Sequence, residues 1–141
     1  MKKSMLKWLL VMIITTTQLH TQTRNRSLHF INSKIKISIN GHIKRDAVFH
    51  VHIKNLTLLE EQTIKTSGVA TVLLQYNMKY EITITHAGCN TKVIEVNTDA
   101  PIDKWFIVAS INLSDKENGV IKAGSINYDN DSRTFITKET I

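Results

Sequence analysis

The chain of 141 residues holds one cysteine, Cys89, so no internal disulfide can form and the fold must rest on its apolar core. The thiol reads as a small, half-buried loop residue, with pairing between chains as the alternative. Proline is equally scarce: Pro101 is the only one, and it marks Asp99–Asp103 as a loop. No apolar run reaches the roughly 18–20 residues that cross a bilayer as a helix. No G-x-S-x-G, H-E-x-x-H, C-x-x-C, P-loop or G-x-G-x-x-G occurs, which argues against an enzyme. A dense basic stripe is missing too. The 18 Lys and Arg interleave with 12 Asp and Glu, so nucleic acid is not an expected partner.

What is present begins with an address. M-K-K-S-M-L-K-W-L-L-V-M-I-I sets Lys2, Lys3 and Lys7 ahead of an apolar core from Trp8 to Ile14, the composition of a secretory signal peptide. Residues 1–22 are read as that leader, with an uncleaved amphipathic anchor as the alternative. Removing its three lysines lowers the net charge from +6 to about +3. One domain of roughly 120 residues remains, large enough to bury a real core. The expected location is the periplasm or cell envelope, or the medium, with no transmembrane span after cleavage.

Residues 23–33 are polar and read as a flexible lead-in. From residue 34 to 141 the chain reads as one domain of short strands. Ile35, Ile37 and Ile39 alternate with polar residues up to Asn40-Gly41, a turn or bulge signal. Phe49, Val51 and Ile53 alternate with His50, His52 and Lys54. Leu56, Leu58 and Leu59 then fall in a connection, where they could tuck under it. Thr63–Thr66, a tight turn at Ser67-Gly68 and Val69–Leu74 follow. Tyr80–Thr85 and Thr91–Asn97 flank Gly88, the arrangement of a hairpin. Trp105–Leu113 is a longer apolar strand, and Val120–Tyr128 and Arg133–Thr137 close the domain around the turn Asp129–Ser132. Seven to nine strands, each apolar on one face, predict an all-β antiparallel sandwich, with a small closed barrel as the alternative.

The segment Y-E-I-T-I-T-H-A-G-C-N-T-K-V-I-E-V-N-T, preceded by T-S-G-V-A-T-V-L-L, resembles the carboxypeptidase-regulatory-like, prealbumin-type domains of Gram-negative cell-envelope proteins. Thr66, Gly68, Tyr80, Ile82, Ile84, Gly88, Lys92, Ile94, Val96 and Thr98 carry the likeness. The tail A-G-S-I-N-Y-D-N-D-S-R-T-F-I resembles the closing segment of envelope members, so the likeness covers about residues 34–137. Ala87, Cys89 and Val69-Ala70 depart from it, and the proline-rich opening is reduced to Asp46-Ala47-Val48. The resemblance implies a non-catalytic exported module for docking or support, whose partner is an envelope protein or a wall polymer. The same fold type hosts a ureide hydrolase with a C-terminal Tyr-Arg-Gly-Ser. Here the corresponding residues read Lys138-Glu139-Thr140-Ile141, and that catalysis is not expected.

Four groups of residues carry what chemistry there is. His50 and His52 project from one strand face about 7 Å apart, and His42 could add a third metal ligand. A secreted metal-binding or small hydrolytic protein built on this pair is the alternative function. The plainer reading is a solvated polar face, since the strand offers no carboxylate beside the pair, and no metal or cofactor is expected. Asp129-Asn130-Asp131 offers too few oxygens for calcium and reads as Asx-turn chemistry. Tyr80, as an amphipathic anchor at a sheet edge, and Phe106 are the candidate interaction surface. Trp105, in phase with Ile107 and Ala109, is expected to point inward, which leaves Phe106 outward. Gly68 and Gly88 are expected to serve the turns.

Overall fold

In the computed structural model, residues 29–104 and 106–140 are described. The signal peptide, the lead-in up to residue 28, and the inward placement of Trp105 lie outside them. Nine strands follow one another: β1 (Phe30–Ile39), β2 (Phe49–Asn55), β3 (Glu60–Thr66), β4 (Val69–Gln75), β5 (Lys79–Thr85), β6 (Thr91–Asn97), β7 (Phe106–Leu113), β8 (Val120–Asp129) and β9 (Thr134–Glu139). There is no helix among the described residues, and thus none long and apolar enough to cross a membrane.

The strands form an all-β sandwich. A three-stranded sheet in the order β4-β1-β7 faces a six-stranded sheet in the order β3-β2-β5-β6-β8-β9. Most pairings are antiparallel, as the alternation leads one to expect. Two are parallel: β1 with β7, and β6 with β8. Each of these joins strands far apart in the chain, so no tight turn constrains their direction.

Period-2 burial builds the core. Ile31, Ile35, Ile37 and Ile39 of β1, Ala70, Val72 and Leu74 of β4, and Ile107, Ala109, Ile111 and Leu113 of β7 point inward from the small sheet. Phe49, Val51 and Ile53 of β2, Tyr80, Ile82 and Ile84 of β5, Ile94 and Val96 of β6, and Ile126 of β8 meet them from the large one. β-branched side chains suit these pleated, buried faces, which removes their apolar area from water.

The turns follow the residues that make them. Asn40 (φ 51°) and Gly41 (φ 78°) form a two-residue reversal, with Ile39 and His42 exchanging backbone hydrogen bonds at 2.9 Å. Both positive φ angles fit the Asn-Gly preference of such turns. Asn55 Oδ1 accepts from the amides of Thr57 and Leu58, an Asx turn after β2. Asn90, fully buried, donates from Nδ2 to Glu117 at 3.1 Å and accepts from the Ser114 amide at 2.8 Å. It thereby fastens the β7–β8 connection.

Two expectations need correction. β1 begins at Phe30, so Phe30–Ser33 belong to a strand rather than to a lead-in, and Ile31 is fully buried. Leu56, Leu58 and Leu59 do not tuck under the β2–β3 connection. They are exposed, because the Asx turn at Asn55 carries them outward. The tight turn at Ser67-Gly68 joins β3 to β4 as expected. It passes the chain from one sheet to the other, with the Gly68 carbonyl accepting from Ile37 at 2.7 Å.

Candidate functional site

The outward faces of the two sheets differ sharply in chemistry. On the six-stranded sheet, polar groups answer one another. His52 Nδ1 lies 2.9 Å from Thr63 Oγ1, and its Nε2 lies 3.4 Å from Glu61. The other oxygen of Glu61 lies 3.6 Å from Lys54 Nζ, and Lys122 meets Glu95 at 2.7 Å. These exposed pairs add little stability each, but they place both signs of charge side by side on this face.

The three-stranded sheet presents the opposite picture. Its outward residues are Phe30, Asn32, Lys34, Lys36 and Ser38 on β1, Val69, Thr71, Leu73 and Gln75 on β4, and Phe106, Val108, Ser110 and Asn112 on β7. Register places Leu73, Asn32 and Phe106 in one row, then Thr71, Lys34 and Val108, then Val69, Lys36 and Ser110. The large apolar members are exposed to between 39% (Phe30) and 59% (Leu73). They lie close enough in register to form one patch. No carboxylate points outward from these three strands, and neither Lys34 nor Lys36 has an ion pair among the described residues. Asp103, ahead of β7, is matched to Lys104 at 3.8 Å.

Phe106 therefore stands on this face, 53% exposed. Tyr80 does not. β5 runs between β2 and β6 rather than at an edge, and the Tyr80 side chain is in phase with Ile82 and Ile84, so it is buried in the core. Gly68 and Gly88 sit in connections, with φ of 142° and 78°. Beside the patch, where β3 and β4 diverge into separate sheets, a cleft of about 480 Å³ is lined by Phe30, Leu73 and Gln75 on one side and Glu60, Glu61 and Gln62 on the other.

His50 and His52 share the outer face of β2, but they are not joined by His42. His42 sits in the turn after β1, which belongs to the other sheet. Among the described residues no three His, Cys, Asp or Glu side chains stand together as a metal requires. Both nitrogens of His52 have protein neighbours, and His50 lies opposite Lys65, whose charge opposes a cation. Glu61 is the carboxylate that strand-by-strand reading missed. It comes from β3, and only the β2–β3 register brings it beside His52 and Lys54.

A Cys–His pair also emerges, with Cys89 Sγ 3.7 Å from His86 Nδ1. That nitrogen lies 2.7 Å from the Ala87 carbonyl, an acceptor only, so Nδ1 carries the proton and cannot take one from the thiol. Burial and the Asp115 charge push the thiol pKa up, against a smaller pull from Lys44. The pair is thus not an activated nucleophile. In the β8–β9 turn, Asp129 Oδ2 accepts from the Ser132 hydroxyl at 2.6 Å and the Ser132 amide at 2.9 Å. These bonds hold the carboxyl below its ordinary pKa and close an Asx-type turn.

No protein-family model matches the chain, and a search of curated proteins finds no match.

Proposed function

We propose that this protein is a non-catalytic exported module of the cell envelope, of the carboxypeptidase-regulatory-like type, that docks to an envelope protein or wall polymer. Support for the type comes from the sandwich architecture and from the motif segment Tyr80–Thr98, which supplies the β5–β6 hairpin. Support for export comes from the leader composition of residues 1–22.

The observation that carries the docking reading is the contrast between the two outer faces. One is polar and carries both signs of charge, part of it in ion pairs. The other exposes Phe30, Leu73, Phe106 and Val108 around lysines that lack partners among the described residues. A soluble face of this kind is usually covered by something in the working assembly.

A photo-crosslinking residue at position 106, compared with one at Thr83 on the other outer face, tests this in intact cells. The expected result is a discrete adduct from position 106 and none from position 83. Equal or absent crosslinking at both would defeat the docking reading.

A further inference from the structure

The same face also reports the chemistry of what covers it, and this inference rests on the docking reading above. A second copy of this chain is a poor occupant. Two such faces brought together about a two-fold axis would bury Lys34 and Lys36 against the same lysines, with no carboxylate on either side. The chain's own residues 1–28 are equally unsuited, because they contain Lys2, Lys3, Lys7, Arg24 and Arg26 and no Asp or Glu. An anionic bilayer would match the charge but not the layout. Lys34 lies between Thr71 and Val108, and Asn32 between Leu73 and Phe106. Sinking the apolar side chains into hydrocarbon would drag Asn32 and Thr71 in with them, and these short side chains, unlike the lysines, cannot reach back to the headgroups.

We propose that the three-stranded face receives an acidic amphipathic helix of another protein. The two outer strands, β4 and β7, stand about 10 Å apart across β1, which is the diameter of one helix. Leu73 and Val69 form an apolar rail on one side, and Phe106 and Val108 form the other. Between them the aliphatic stems of Lys34 and Lys36 would make the floor, with side chains long enough to carry their ammonium groups to the helix flanks. Lys34 and Lys36 are about 7 Å apart along the strand, and residues at i and i+4 on a helix have their Cβ atoms about 6 Å apart, so two Glu at that spacing can meet both lysines. Charge then sets the choice of partner, while the apolar rails supply most of the affinity.

The test uses the full chain and two synthetic 18-residue helical peptides that share a Leu/Phe stripe. One carries Glu at i,i+4 spacing beside the stripe, and the other carries Lys at those positions. Amide chemical shifts are followed through titration, with phosphatidylglycerol vesicles as a separate titrant. The Glu peptide is expected to move the amides of Phe30, Lys34 and Val108. Binding should weaken about tenfold in the double variant Lys34→Glu, Lys36→Glu, and the Lys peptide should recover it there. That recovery also shows that the variant is folded. Equal binding of both peptides to the unaltered chain overturns the proposal, as do shifts confined to the six-stranded sheet, no binding of the Glu peptide, or a response to the vesicles alone. Crosslinks from position 106 without peptide selectivity would retire the acidic helix and leave the docking reading in place.

Discussion

The phenol oxygen of Tyr80 accepts a hydrogen bond from the Gln75 amide at 2.8 Å, linking the start of β5 in one sheet to the end of β4 in the other. Thr98 secures the same corner, with its Oγ1 2.6 Å from the Gln75 carbonyl and within reach of the Met78 amide at 2.9 Å. A turn that changes sheets has no ladder of its own, so side chains must satisfy its backbone groups.

Burial is the main reason the Tyr80 phenol titrates above its ordinary value, opposed by the Gln75 hydrogen bond and reinforced by Glu60. The folded state therefore holds this proton more tightly than the unfolded chain does. Its contribution is complete below about pH 10 and is lost as pH rises through the higher folded value. Tyr80→Phe should lower stability by about 1 kcal/mol at pH 7 and flatten the alkaline decline. Urea unfolding at pH 7 and through the alkaline range measures both effects. An unchanged alkaline slope would contradict the assignment.

Ser33 is the one inward-facing polar residue on β1, 1% exposed, and its buried hydroxyl has no hydrogen-bond partner among the described residues. Ser33→Ala removes an unsatisfied group and keeps the strand. Stability should rise by about 1 kcal/mol with no change in the urea m-value. A loss of stability would mean that the hydroxyl has a partner.

Ser33 also shows where the sequence stops being readable. Its polar side chain interrupts the inward series of Ile31, Ile35 and Ile37, which hides the first turn of alternation and makes Phe30–Ser33 look like a tail. The β5–β6 hairpin was legible because both strands and Gly88 lie within one short segment. Pairings between distant strands, such as β1 with β7, leave no mark in local periodicity, so the parallel directions were not. Tyr80 was misplaced although its phase with Ile82 and Ile84 already indicated burial. Phe106 was found by the same phase rule. Leu73 and Val108 went unnoticed because apolar residues in apolar strands look like core until the register assigns them a face.

At Gly124 the parallel β6–β8 pairing skips a residue: Val93 is opposite Lys122, and Ile94 is opposite Gly124. With φ at 141°, Gly124 brings its backbone against β9, and a Cβ there would collide with the Lys138 carbonyl oxygen. Gly124→Ala should cost at least about 2 kcal/mol. Amide exchange should speed up in Thr134–Glu139 while β1 and β4 keep their protection. Unchanged exchange in β9 would contradict this view of the bulge.

The most direct measurement is carbene footprinting of the protein in intact cells against the same protein purified. The account predicts that Phe30, Leu73, Phe106 and Val108 lose labelling in cells, while His50, Thr83 and Glu95 label equally in both settings. Equal labelling of the three-stranded face in cells and in solution, or protection confined to the six-stranded face, would contradict it.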